Sequence, residues 1–527
     1  MIECEWIIFK IYREKVERKM KKIINILGII FLAIIIILNL VFTAKLDSSE
    51  HIAINYNSFI YTIGIIASGI IIYMLTKKVN EYIETKENKK RILIVAIIVY
   101  IIFNIIWVIL VKPPIVGDQI HACNLAQTFY RNNLEEFLPN MTYAGIPLGQ
   151  YMQSYHQQIS LSFVFSMFFR IIHFDGIGIL RALNVIGNIL MVVALYKISK
   201  QLSNKYEINN VRLFVLILTF VSIPMLSTFI YGDVPSLALC LFAVYFMMKY
   251  TETQKIKYPI LAAILTMIAY MMRMNSLIFI IATTIYLILN LFKELKNKKW
   301  KENLISVSII PMYIAISILP AGLVQNYYLD KYNMDKKAEY PTISYILMAM
   351  EESWRGNGWY NEDRGEYALK NIEQAKEEYV EEVKQRLIYF AKNPDYTLEF
   401  YTKKLASMWT ENTYAAIRSN IVKENDPIEN ATDILTFYQK VLLVLTCVCS
   451  ITYLVKNRKN ISLEALFLIT IFIGGFAFHI LWEAKSRYII PYIVVLIPIA
   501  AIKIKQEFII KTKIKKIYSR ILKKEIN

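Results

Sequence analysis

Apolar runs of roughly 17 to 25 residues, each long enough to cross a hydrocarbon core about 30 Å thick, alternate along this chain with short clusters of Lys and Arg. They predict spanning helices near residues 23–44, 58–76, 92–111, 177–198, 211–231, 234–250, 258–272, 275–292, 304–324, 438–456, 463–482 and 488–503. Repetition carries the reading, since one such run is ambiguous and a dozen are not. The fold class expected is an all-α polytopic membrane protein with about 12 (11–13) transmembrane helices. The stretch Ile159 to Ile172 sets that range. Counted as a span, it would move the basic clusters between Lys197 and Asn303 across the membrane, so a juxtamembrane or re-entrant helix is expected there and a thirteenth span is the alternative.

Two long segments interrupt the pattern. Residues 112–176 open on Pro113-Pro114 and continue into a helix with Cys123, Ala126, Tyr130, Leu134 and Phe137 on one face, expected to lie flat on the outer surface. Residues 325–437 predict a helical cap over the same face, with one helix ending at Asn393-Pro394 and another running from Asp395 to about Thr410. The chain thus divides into residues 1–91 (basic N-terminus and two helices ahead of the core), 92–324 (membrane core with the 112–176 loop), 325–437 (cap) and 438–503 (last membrane helices). Residues 504–527 follow as a basic tail with Ile510, Ile514, Ile517 and Ile521 in helical register. The run Ile23 to Ala44 is too long for a signal-peptide core and lacks an A-x-A cleavage site, so it is expected as an uncleaved first span; Met1 and Met20 both fit as the start.

The chain has 527 residues, 56% of them hydrophobic, and a formal net charge of +18. That charge suggests nucleic acid until its distribution is considered. Lys and Arg gather in the N-terminus, 77–91, 197–212, 249–258, 293–303, 456–460 and the tail, where the positive-inside rule places cytoplasmic segments. The basicity therefore reports topology, with both termini cytoplasmic in a multi-pass plasma-membrane protein, and no nucleic-acid partner is expected. Cys4, Cys123, Cys240, Cys447 and Cys449 show neither a disulfide framework nor metal-ligand spacing.

Polar residues at the edges of apolar runs are costly and mark candidate chemistry. Five places qualify: Asp118-Gln119, Asp233, Arg273 with Asn275, the Glu351 to Asp363 segment, and Glu483 with Lys485 and Arg487. All fall on the outer side of a path fixed by other residues. Each has a plain structural alternative, the two aspartates as helix N-caps, Arg273 as a snorkelling side chain, and Lys485 and Arg487 as interfacial anchors paired with Glu483. Together they suggest a site for an anionic, lipid-linked substrate, in which a carboxylate removes a proton from an attacking hydroxyl and cations stabilise a phosphate leaving group. No P-loop, dinucleotide fingerprint, H-E-x-x-H or G-x-S-x-G occurs.

From about residue 92 to 503 these residues resemble the polytopic GT-C glycosyltransferases, and within them the bacterial relatives of the dolichyl-phosphate-mannose protein mannosyltransferases, including the family 39 and lipid A aminoarabinose transferase-like enzymes. Pro113-Pro114-Ile-Val-Gly-Asp118-Gln119 resembles the first outer loop with its acidic residue, and Tyr231-Gly232-Asp233-Val-Pro-Ser236 the second acidic position. Arg273-Met-Asn275 is similar to the polar break between later spans, and Lys485-Ser-Arg487-Tyr488-Ile-Ile-Pro491 to the closing motif. Arg355-Gly-Asn-Gly-Trp359-Tyr-Asn and Trp409-Thr-Glu-Asn-Thr-Tyr414 are similar to the outer loop of a low-GC Gram-positive branch. The two spans before residue 92 depart from the simplest layout of the family. The resemblance implies a GT-C type fold, a polyprenyl-phosphate-linked sugar donor, an extracytoplasmic acceptor (cell-envelope glycan, lipid or protein), inversion at the anomeric carbon, and contact with membrane lipid. On that basis Asp118 is expected as the catalytic base, Asp233 as its assistant or the acceptor's positioner, and Arg273, Lys485 and Arg487 as the donor-phosphate ligands. Gln119, Asn275 and Glu483 are further candidates, and a divalent cation shared by the two aspartates stays open. The rival readings are a transporter or flippase, which calls for repeated halves and polar groups at mid-membrane depth, and a non-catalytic envelope-assembly partner.

Overall fold

The computed structural model describes residues 2–503 apart from 86–88, 138–140, 144, 295–299 and 424–425, and the expected tail helix at 504–527 lies outside the described residues. Helix α1 (Ile2–Val41) turns through an antiparallel hairpin, β1 (Phe42–Leu46) and β2 (Ile52–Tyr56), into α2 (Phe59–Glu84) and α3 (Lys89–Leu110). The first long loop folds as α4 (Asp118–Arg131), the short pair β3 (Thr142–Tyr143) and β4 (Ile146–Pro147), α5 (Leu148–Ser154) and α6 (His156–Ile172). Next come α7 (Ile177–Leu202), α8 (Asn210–Leu218), α9 (Ser222–Met225), α10 (Asp233–Thr253), α11 (Lys257–Met272), α12 (Ser276–Glu294) and α13 (Trp300–Lys331). A cap of α14 (Thr342–Met348), α15 (Glu362–Lys370), α16 (Ile372–Lys392) and α17 (Pro394–Trp409) precedes α18 (Thr432–Lys456), α19 (Leu463–Ile480), α20 (Ile490–Val494) and α21 (Ile497–Ala500).

The all-α polytopic expectation holds. Among the described residues eight helical stretches are long and apolar enough to cross a membrane, and three shorter apolar helices, Ile94–Leu110, Lys257–Met272 and Ser276–Phe292, sit where further spans were expected. The bundle is tied internally by polar contacts that need no water, as Asn188 donates to Asn104 at 2.9 Å and to Ser227 at 2.7 Å. The expected run 488–503 differs: Pro491 and Pro498 break it into α20 and α21, and every residue from Ile489 to Ile502 but Pro491 is buried. Such an irregular segment is tolerated at depth because protein, not lipid, surrounds it.

α6 is a 17-residue helix packed against α4, α11 and α13, absent from the span-like helices and consistent with the juxtamembrane reading. α4 departs from the flat surface helix expected. It stops at Asn132, whose left-handed backbone ends the helix before Leu134 and Phe137, and it buries Gln119, His121, Ala122, Cys123, Leu125, Ala126 and Phe129, more than one face. The helix is therefore walled in by protein, with α6 along its length and α5 beside it.

The cap has small cores of its own around Tyr340, Leu347, Ala375 and Tyr379 and around Met350, Phe390 and Phe400. Lys404 pins it to the bundle, donating to the carbonyls of Ala349, Ile480 and Trp482 at 2.8, 2.9 and 2.9 Å, two of them at the end of α19. Burial pulls that ammonium down to about 7, against the smaller opposing pull of Glu483. The hairpin ahead of α2, which the sequence pattern did not announce, clasps the cap from the other side. Ile52 donates to the Arg355 carbonyl at 2.9 Å, Ala44 to Thr410 Oγ1 at 3.0 Å, and Glu50 pairs with both Arg355 and Arg418.

Candidate functional site

Gly117 takes a positive φ of 55° and stands as the N-cap of α4, so Asp118 enters as the first helical residue with no capping bond to make. Its carboxylate turns outward instead. Tyr151 donates to Oδ1 and Tyr231 to Oδ2, each at 2.9 Å, while Asp118 itself stays exposed. Burial and then the nearby Asp118 charge push both phenols well above their ordinary range, so they remain protonated donors. Gln158 in turn donates to the Tyr231 hydroxyl. His121 stacks on Tyr151 at 3.9 Å, and burial pulls its pKa down, which keeps a neutral ring beside the acid.

Asp233 sits in a different setting. Gly232, at φ 80°, is the N-cap of α10 and lets the chain turn tightly over α6 and the end of α11. A Cβ there would meet Leu161 at 2.9 Å and Met272 at 3.2 Å. The capping alternative fails here as well, because the cap position makes no side-chain bond and Asp233 faces two guanidinium groups. Its Oδ1 lies 3.3 Å from Arg273 Nη2 and 3.7 Å from Arg487 Nε. Arg273 lies over the Tyr231 ring at 4.6 Å and Arg487 over Phe229 at 3.9 Å, so aromatic faces orient both cations. Burial alone disfavours the Arg273 charge, and Asp233, Tyr488 and Tyr231 more than restore it.

Asp233, Arg273, Asn275 and Arg487 line the polar part of one pocket whose deeper wall is apolar, with Leu237, Phe279 and Ile490 among its residues. Asp118 is not part of that lining. Tyr231 connects the two centres, its hydroxyl on Asp118 and its ring under Arg273. Lys485 lies 3.5 Å from Glu483; burial works against the Lys485 charge, and Glu483, Tyr488 and Asp118 together more than restore it. Four of the five sequence candidates therefore meet at one end of the bundle. The fifth, 351–363, is mostly cap scaffold, since Arg355 pairs with Glu50 and Glu362 and Trp359 is buried with its Nε1 on Ser407 at 2.8 Å. Its Tyr360 is the exception, a half-buried phenol pushed up to about 12 by desolvation and then by Glu483 and Asp118. Gln119 is structural, its side-chain carbonyl accepting from Ile230 N–H at 2.8 Å and so tying α4 to the Asp233 turn.

Sequence reasoning missed Tyr151, Gln158, Phe229 and Glu411. Glu411, buried, accepts from the N–H groups of Thr413 and Ala415 at 3.0 and 2.8 Å and from Ser486 Oγ at 2.5 Å, which anchors the residue between Lys485 and Arg487. Burial pushes its pKa up, and the donated bonds oppose the shift. At Asp233 a divalent ion would stand beside two guanidinium groups, 3.3 and 3.7 Å from the carboxylate oxygen, which is an unfavourable setting for a dication. Among the described residues no three His, Cys, Asp or Glu side chains converge as a metal set.

Residues 157–318 match the family model described as dolichyl-phosphate-mannose-protein mannosyltransferase, a stretch that includes Asp233 and Arg273 but neither Asp118 nor Arg487. None of the curated proteins matches. Among solved structures, an archaeal oligosaccharyltransferase AglB from Archaeoglobus fulgidus, in complex with an inhibitory peptide and a dolichol-phosphate, aligns at 12% identity and a TM-score of 0.42 over 79% of this chain and 50% of that one. The oligosaccharyltransferase of the same organism in its apo form gives 12%, 0.41, 77% and 50%. The chain spans about half the length of these structures. Across residues 157–318 the multi-pass helical chain is thus similar to the mannosyltransferase model, a stretch that includes the motifs at Asp233 and Arg273.

Proposed function

We propose that the protein is a membrane-embedded glycosyltransferase that moves a sugar from a polyprenyl-phosphate-linked donor to an acceptor hydroxyl on the capped, extracytoplasmic side. The observation that carries this reading is the pairing of an exposed carboxylate, held by two phenols, with a neighbouring pocket that has two aromatic-backed guanidinium groups at its polar end and an apolar depth. The pocket suits an alkyl phosphate, the guanidinium groups taking the phosphate and the apolar wall the first isoprene units. The family description, which names a dolichyl-phosphate sugar as donor, points the same way.

In the reaction, Asp118 accepts the acceptor's hydroxyl proton while that oxygen bonds to the anomeric carbon. The bond from that carbon to the phosphate oxygen breaks, and its electron pair stays on the phosphate, where Arg273 and Arg487 stabilise the added charge. A single displacement of this kind inverts the anomeric centre, because the base works on the face opposite the leaving group. Tyr151 and Tyr231 keep the Asp118 oxygens aimed. Lys485, already paired with Glu483, adds positive potential at longer range. The test is Asp118→Asn in cells whose surface glycan depends on this gene. The glycan should be lost while the variant accumulates in the membrane and elutes like wild type; transfer at a near wild-type rate would refute the assignment.

A further inference from the structure

The contact between Asp233 and the two arginines is looser than a structural ion pair. Charge-assisted N–H···O bonds run about 2.7–2.9 Å, and a buried pair stabilises a fold only when geometry is close and the remaining polar atoms are satisfied. Here the distances are 3.3 and 3.7 Å, and Asp233 Oδ2 and Arg487 Nε are both buried without a hydrogen-bond partner. Two cations face one carboxylate, which leaves an excess of positive charge at the polar end of a pocket with apolar walls. The cations do not depend on Asp233 for their position, since Arg273 is stacked on Tyr231 and Tyr488 at 4.6 and 5.6 Å, and Arg487 on Phe229 and Tyr488 at 3.9 and 5.8 Å. Gly232 fixes the backbone of Asp233, so only its side chain is free to swing.

We infer that the Asp233 carboxylate is an internal stand-in for the donor's phosphate: it occupies the gap between Arg273 and Arg487 before the donor binds, gives way when the phosphate monoester or diester arrives, and returns to help expel the lipid phosphate after transfer. This rests on the reading of Arg273 and Arg487 as the phosphate ligands. It assigns Asp233 a role different from assisting the base, as a positioning residue that sets donor affinity and product release. Phosphate offers several oxygens to two fork-shaped donors where the carboxylate reaches them with one oxygen, so the exchange favours the ligand. The returning carboxylate opposes tight retention of the product.

Binding of geranylgeranyl phosphate to the full-length protein in nanodiscs tests the exchange. Asp233→Asn, which removes the competing charge, should bind the probe about tenfold more tightly or better than wild type, and Asp233→Glu should not. Should the Asn variant fail to fold, Asp233→Ser serves in its place, with a hydroxyl at the helix start. In turnover the neutral variant should show a lower KM together with a lower kcat and stronger inhibition by the probe. Equal or weaker binding by the neutral variants overturns the inference. A different result refutes the underlying reading instead: binding to wild type that is absent, or unchanged by Arg273→Met, means that the guanidinium pair is not the phosphate site.

Discussion

Asp118 and Asp233 are two aspartates of similar sequence context, each following a glycine of positive φ and each opening a helix, yet they meet opposite partners. Asp118 is exposed and accepts from two neutral phenols. Asp233 is half-buried between two guanidinium groups with one oxygen unpaired. The difference teaches that an acid's role follows from what opposes its charge. A carboxylate aimed by neutral donors remains a usable base, while one facing cations already spends its charge on them.

Substitutions at both centres test that contrast. Asp118→Asn should lower transfer by about a hundredfold to ten-thousandfold, the range for loss of a general base, whereas Asp233→Asn should lower kcat far less and KM along with it. If steady-state assays gave the two variants the same profile, the contrast would fail. Arg273→Met should reduce kcat/KM by roughly a hundredfold or more, as for loss of a charge-stabilising donor, with Asp118 chemistry intact in product stereochemistry. Gly232→Ala acts on both centres at once, since its Cβ meets Leu161 at 2.9 Å in a left-handed turn. It should cost about 1–2 kcal/mol for the backbone alone, read as a lower melting temperature in detergent. The smallest effect is expected of Tyr151→Phe, which removes one of two donors to Asp118 and should slow transfer by roughly tenfold or less, with no change in the affinity for lipid phosphate. A large loss of phosphate binding in that variant would merge the two centres into one.

Much of this is legible in the sequence. The periodicity of apolar runs gave the helical class, and Asp118, Asp233, Arg273, Lys485 and Arg487 stood out because charge at the edge of an apolar run is expensive. The ends of those runs were less legible. Pro491 and Pro498 were visible, but a buried broken segment and a spanning helix have the same apolar composition, and only the burial of its neighbours separates them. The phenols on Asp118 were hidden for another reason: the chain has 36 tyrosines, and nothing in local sequence marks the two whose hydroxyls converge from α5 and from the turn before α10. Glu411 lies within the Trp409–Tyr414 motif, but nothing local marks it, since its partner Ser486 is 75 positions away. Cys123, which the helical pattern puts on the apolar face of a helix lying on the outer surface, is buried beside α6, and burial pushes its thiol up to about 12.

The hairpin between α1 and α2 makes the N-terminal pair of helices more than an appendage. Glu50 is the shared counter-charge of Arg355 and Arg418, and the β2 edge continues into the Arg355 carbonyl. A shortened protein beginning near residue 58 would leave Arg418 without the carboxylate it shares with Arg355, which would keep only Glu362. The opening 57 residues therefore behave as a keystone, and supplying them as a separate polypeptide should restore a truncated protein that cannot hold its own canopy.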